Sequence, residues 1–106
     1  MSARDLTLVI TTLAVADLRE IYVQTVERWG EEQADRYEEQ ILAAINHLRR
    51  YPDMDRCDRR AYRDIRSFSL EHHTVYYRTD ETNIYIMRVV HCRQEFRTLM
   101  LIESEP

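Results

Sequence analysis

Hydrophobic positions change their spacing twice along the chain, and those changes mark out its elements. Leu6, Leu8 and Ile10 alternate with Thr7, Val9 and Thr11, the two-residue period of an opening strand over about residues 5–11. From Leu13 to about Arg28 the period lengthens. Ala14, Leu18, Ile21, Tyr22, Thr25 and Trp29 share one helix face while Glu20, Val23 and Glu27 point away. Thr11 and Thr12 offer a cap at its start, and Gly30, the only glycine, ends it. A second stripe of Ala34, Tyr37, Ile41, Ala44, Ile45 and Leu48 predicts a longer helix over about residues 31–50. Pro52 closes it, because the residue before a proline is disfavoured in helical conformation.

Two amphipathic helices with a short joint predict an antiparallel hairpin over about residues 12–51, its stripes facing one surface. Leu18, Ile21, Tyr37, Ile41 and Ile45 are its expected core. Trp29, at the joint, reads as a core plug, since a ring of that size buries up to about 250 Å².

After residues 53–60, which have no period and read as an exposed connection, the pattern turns to strands. Ala61 to Phe68, His72 to Arg78 and Asn83 to Cys92 are separated by turn-like segments, the last pair by Thr79-Asp80-Glu81-Thr82, which suits a tight hairpin. In the last strand Ile84, Ile86, Val90 and Cys92 are expected opposite Tyr85, Met87, Val89 and His91. The sum is an α+β chain of order β-α-α-β-β-β: one antiparallel sheet, strands about 5–11 and 61–92, with the helical hairpin packed on one face. The other face would present Arg and Tyr side chains, the makeup of a recognition surface. A tail over residues 93–106 carries Phe96, Leu99, Met100 and Leu101, apolar enough to need burial against the sheet or a partner.

With 106 residues there is room for one domain, 1–106, around one core. Formal charge is −4, and all fifteen basic residues are Arg, whose planar fork favours bidentate pairing with carboxylate, phosphate or base edges. Residues 1 to 55 carry six Arg against eleven acids, whereas residues 56 to 102 carry nine Arg against six acids, so an acidic partner would meet the second half. Cys57 and Cys92 are expected as free thiols, a loop thiol and a small sheet hydrophobe. The start lacks the pattern of an export signal and no stretch approaches a membrane span, which predicts a cytoplasmic protein with no membrane partner.

Arg78, Arg88 and Arg93 could gather around one anion on a small sheet, or pair with Glu71, Asp80, Glu81 or Glu95. His73 and His91 lie on neighbouring strands. Neither has metal-ligand company at the right spacing beyond Cys92, which points to the opposite face, so hydrogen bonding is expected and neither metal nor cofactor.

Asp17-Leu18 and Ile21, Trp29-Gly30 followed by Gln33-Ala34 and Tyr37, Tyr51-Pro52, His73 through Tyr77-Arg78, and Arg88-Val-Val-His91-Cys-Arg93 together resemble the ParE branch of the RelE/ParE toxin superfamily of type II toxin-antitoxin modules. The likeness runs over about residues 5 to 101. Asp55 and Glu71 or His72 stand where the family often has glycine, so both turns are expected to differ. The resemblance implies a non-enzymatic toxin that inhibits DNA gyrase. It implies a ParD-like antitoxin with a ribbon-helix-helix head, a toxin-antitoxin hetero-oligomer, and operator DNA contacted only through the antitoxin. Arg78, Arg88, Arg93, Phe96, Leu99, Met100 and Leu101 are then the expected contact residues. RelE-like members instead cleave messenger RNA on the ribosome, and here His91, Arg88 and Arg93 could make a reduced site of that kind. A third reading is a non-toxic regulatory subunit that binds antitoxin.

Overall fold

The computed structural model describes residues 5–51 and 65–92. The elements follow the order β1 (Thr7–Ile10), α1 (Thr12–Trp29), α2 (Glu31–Arg50), β2 (Arg66–Ser69), β3 (His73–Thr79) and β4 (Asn83–His91). Residues 52–64 and the tail from Arg93, with Phe96, Leu99, Met100 and Leu101, lie outside the described residues.

Local chemistry explains where each helix starts and stops. The Thr11 hydroxyl accepts the Ala14 N–H at 3.2 Å, capping α1. The same oxygen sits 2.9 Å and 3.0 Å from the Ile86 and Met87 carbonyls, so the cap is also riveted to the sheet. Gly30 ends α1 and begins α2 with φ 95° and ψ 167°, a conformation open essentially to glycine. Glu31 and Glu32 stand in the first turn of α2 and His47, Arg49 and Arg50 in its last, each sign complementing the helix dipole.

The sheet order is β1-β4-β3-β2. β2 and β3 pair antiparallel, as do β3 and β4, but β1 runs parallel to β4. The sheet is therefore mixed, where one antiparallel sheet was expected. The helical hairpin carries the chain from one edge across to the other, and the β2–β3–β4 meander then returns to the middle. Residue pattern within a strand says nothing about which neighbour it finds, so this reversal was not legible in it.

Between Tyr76↔Arg88 and Tyr77↔Ile86 the register shifts, leaving Met87 without a counterpart on β3. This bulge resets the alternation of β4. Ile84 and Ile86 lie in the core as expected, but beyond Met87 it is Val89 that joins their cluster, while Val90, also buried, lies outside that cluster. The expected pairing of Val90 with Ile84 and Ile86 is thus corrected by one inserted residue.

The core between hairpin and sheet comprises Leu6 before β1, Ala14, Ile21, Tyr37, Ile41, Ile45 and Leu48 from the helices and Val75, Tyr77, Ile84, Ile86 and Val89 from the strands, with Leu18 packed against it partly buried. Trp29 is not a core plug: it is 69 % exposed. After Ile21 no residue of α1 is fully buried, Tyr22, Thr25 and Val26 being half-buried, so at the end of the helix a residue on the correct stripe reaches solvent.

Both hairpins close without glycine. In β2–β3, Leu70 and His73 exchange backbone bonds of 2.8 Å and 3.3 Å around Glu71-His72. In β3–β4, Asp80 Oδ1 accepts the Thr82 and Asn83 N–H groups at 2.9 Å and 2.7 Å, a side-chain mimic of a turn. Those donors, Thr82 first, hold the Asp80 carboxyl below the usual carboxylate range.

Candidate functional site

Two regions outside the core gather chemistry: the outer side of the helical hairpin, and the end of the sheet where β3 begins and β4 finishes. On the hairpin, Val15, Leu18, Arg19 and Tyr22 of α1 face Glu38 of α2 across an open cleft of about 250 Å³. Spacings of three and four residues put these α1 side chains on one stripe beside the buried face. The Tyr22 hydroxyl donates to Asp35 Oδ1 at 2.7 Å, bridging the helices. That hydrogen bond, ahead of desolvation and nearby carboxylates, pushes the phenol up to about 12. Leu13, Val15, Val23 and Leu42 are all exposed on the hairpin. The arrangement offers an apolar floor with one cation and one carboxylate at its rim, which suits an amphipathic helix rather than a small polar substrate.

Sequence reasoning passed over this cleft because attention to one stripe per helix assigns every other position to solvent. The available signal was Val15 and Val23, apolar positions off the main stripe of α1.

At β4 the decisive contact joins Asp17 and Arg88. Arg88 Nε and Nη2 donate to Asp17 Oδ2 and Oδ1 at 2.6 Å and 2.8 Å, and the Val89 N–H donates to Oδ2 at 3.0 Å. Only 18 % of the Arg88 side chain and 12 % of the Asp17 side chain are exposed. β1 pairs with β4 no further than Ile86, so beyond it Asp17 takes over an amide that a longer strand would have bonded. The bond to Asp17 is also the main reason the guanidinium holds its proton more tightly than usual.

This changes the expected arginine cluster. Arg88 was anticipated as an exposed contact, or as part of a reduced RNA-cleaving site with His91 and Arg93, and the structure instead commits it to α1. Asp17 stands four residues before the core position Ile21, but nothing in the chain pattern could pair it with Arg88 across 71 positions. Arg78 is exposed and sits opposite Tyr85 of β4. Arg93 lies outside the described residues.

His91 is exposed at the end of β4, directly across from His73. The Tyr37 hydroxyl of α2 lies 2.7 Å from His73 Nδ1, and the His72 N–H reaches the same phenol oxygen at 3.4 Å. His73 is pushed down to about 4, chiefly by burial and then by the neighbouring His91 and His72. It is therefore neutral near pH 7, and which partner donates in its contact with the Tyr37 phenol is set by the imidazole tautomer. Among the described residues no group of three or more His, Cys, Asp or Glu could hold a metal, and no helix is long and apolar enough to cross a membrane. Cys92 is a free thiol and exposed, not the small sheet hydrophobe anticipated, because β4 ends at His91. Cys57 lies outside the described residues.

With this geometry in view, comparison with known proteins is specific. The family model for the ParE toxin of the type II toxin-antitoxin system parDE matches residues 8–96. Toxin ParE1 of Mycobacterium tuberculosis is 37 % identical over 99 residues, covering 90 % of this chain and 95 % of that protein. Toxin ParE1 of Caulobacter vibrioides is 33 % identical over 78 residues, covering 74 % and 80 %. Among solved structures, a chain of the chromosomal ParDE system from P. aeruginosa superimposes with TM-score 0.70 at 25 % identity, covering 81 % of this chain and 95 % of that one. A chain of the toxin-antitoxin complex RelBE2 from Mycobacterium tuberculosis shares the fold at TM-score 0.64 and 24 % identity, covering 83 % and 99 %. By a family match over most of its length and relatives above 30 % identity, the chain belongs to the ParE toxins of type II toxin-antitoxin systems, within the RelE/ParE superfamily.

Proposed function

We propose that this toxin acts in the cytoplasm by binding rather than by catalysis, that its target is DNA gyrase, and that a ParD-like antitoxin neutralises it. The observation that carries the non-enzymatic reading is the Asp17–Arg88 pair. An RNase of the RelE kind needs a cation whose donors face the scissile phosphate, and a guanidinium whose Nε and Nη2 are already spent on the Asp17 carboxylate has its charge and geometry committed elsewhere. Removing Arg88 from the anticipated set leaves His91 and Arg93, which is less than an acid, a base and a charge stabiliser.

The antitoxin reading is supported by the hairpin cleft. Val15, Leu18 and Tyr22 form an apolar floor that an amphipathic helix could cover, while Arg19 and Glu38 at the rim would fix its register through complementary charges. A ribbon-helix-helix head on that antitoxin would carry all contact with operator DNA, in keeping with the toxin's own net charge of −4.

A supercoiling assay with purified gyrase and purified toxin tests the target, with total RNA from induced cells examined in parallel. Loss of supercoiling with intact transcripts is the expected result. Cleaved transcripts with unchanged supercoiling would replace this reading with ribosome-dependent cleavage, and unimpeded growth without antitoxin would reduce the protein to a regulatory subunit.

A further inference from the structure

The hairpin cleft is one part of a longer apolar row. Val15, Leu18, Tyr22, Val26 and Trp29 follow one another along α1 in steps of three or four, so they share one stripe over about 21 Å of helix. Val15 and Trp29 are exposed, and the three between them are half-buried. A shallow dimple between Tyr22 and Thr25 of α1 and Ala34 and Glu38 of α2 carries the cleft on towards the joint where Trp29 stands. A tryptophan left open at the end of an apolar row is the kind of side chain that anchors an interface.

The α2 wall of this groove has a different character. Glu31, Asp35 and Glu38 follow one another in steps of four and three, so they form a row of carboxylates beside the apolar one. Asp35 takes the Tyr22 hydroxyl, Glu38 lines the cleft, and all three bear on the same phenol. Among the described residues no cation forms an ion pair with any of them. Arg19 is the one cation lining the cleft, and it belongs to α1.

We propose that this groove seats one amphipathic helix of about four turns, its apolar face running from Val15 to Trp29 and a cationic flank lying along Glu31, Asp35 and Glu38. That this helix belongs to the antitoxin rests on the reading given above. The chemistry of its flank is set by the groove alone.

Charge selects among occupants. A second copy of the chain would bring the same carboxylates into the groove, and like charges brought together cost affinity. Nucleic acid is repelled by the same wall. A helix with Lys or Arg on the α2 side and an acid towards Arg19 meets each wall with the opposite sign, which also fixes its orientation about its own axis.

Two synthetic peptides of about 18 residues, long enough to hold a helix, test this with the full-length toxin. They share one leucine stripe, carry no aromatic residue, and differ only in having Lys or Glu along one flank. Trp29 is the only tryptophan, so its emission reports whether the far end of the groove is covered. The Lys peptide should shift that emission to the blue and bind at least about tenfold more tightly than the Glu peptide at low salt. Glu31→Gln combined with Glu38→Gln should weaken the Lys peptide about fivefold, a difference that fades at high salt. Trp29→Ala, followed by calorimetry, should weaken it about tenfold.

Val15→Glu separates seating from loose attraction. It adds a negative charge, so a cationic peptide held by charge alone binds this variant more tightly, whereas a seated helix binds it about tenfold less tightly. Equal affinity of the two peptides, an unmoved Trp29 emission, or tighter binding to Val15→Glu would each overturn the proposal. A toxin dimer that Trp29→Ala dissociates would overturn it in favour of a second copy. The antitoxin reading fails separately: if Val15→Glu weakens the Lys peptide but leaves the cognate antitoxin unaffected, the groove keeps its cationic helix and a different partner supplies it.

Discussion

Asp17 holds both the guanidinium of Arg88 and the backbone N–H of Val89, so one carboxylate on α1 fixes the bulged stretch of β4. A substitution at either partner therefore acts on the fold before it acts on any surface. Asp17→Ala leaves a mostly buried cation and a strand amide unsatisfied, and Arg88→Ala leaves the carboxylate with the amide alone. We expect each to cost about 2–4 kcal/mol in urea unfolding, the aspartate change more. The double variant should lose less than the sum, with a coupling of about 1–3 kcal/mol. Strict additivity would show that the two side chains do not meet in solution.

Trp29 gives the opposite expectation. Its ring is 69 % exposed, so Trp29→Ala should alter stability by no more than about 0.5–1 kcal/mol. As the only tryptophan it also reports directly: its emission should be red-shifted in the native protein and quenched freely by iodide. A blue-shifted, protected emission would restore the core plug.

The stripes of both helices, and the caps at Thr11 and Gly30, were legible in the chain because each depends on neighbours within one or two turns. What the pattern hid depends on distant partners. The parallel seating of β1 against β4, the inserted Met87 that moves Val89 into the core, and the capture of Arg88 by Asp17 all join residues some seventy or more positions apart or arise from the strand they meet. Trp29 was misplaced for a related reason: helical period gives the face a residue occupies, not how far along the helix the sheet extends. Of the expected arginines, Arg88 is bonded to Asp17, whereas the cleft beside Tyr22 emerged only once α2 had supplied Asp35 and Glu38.

Gly30 separates backbone strain from crowding. A Cβ there would meet nothing within 4 Å, yet φ of 95° with ψ of 167° lies outside the left-handed well that asparagine tolerates. Gly30→Ala should cost about 1–3 kcal/mol, and Gly30→Asn should cost as much rather than rescuing it. Near-neutral behaviour of Gly30→Asn in thermal unfolding would mean that the joint relaxes to a different turn.

The binding reading leads to a test in which two kinds of surface change must behave differently. Val15→Glu places a carboxylate on the apolar floor of the hairpin cleft, at a position already 37 % exposed, so folding should be little affected. Binding of the cognate antitoxin should weaken by about 1–3 kcal/mol, and added salt should not restore it, because the loss is one of apolar contact and desolvation. Arg78→Glu acts instead through charge at an exposed strand position. Its effect on affinity should be largest at low ionic strength and shrink as the Debye length falls from about 30 Å at 0.01 M to about 8 Å at 0.15 M. Arg88→Glu cannot serve in this comparison, since it would break the contact with Asp17 and unsettle β4. Calorimetric titrations of both variants at two salt concentrations decide the matter. Unchanged affinity for Val15→Glu removes the cleft from the antitoxin interface, and unchanged affinity for Arg78→Glu at both concentrations removes the strand arginine.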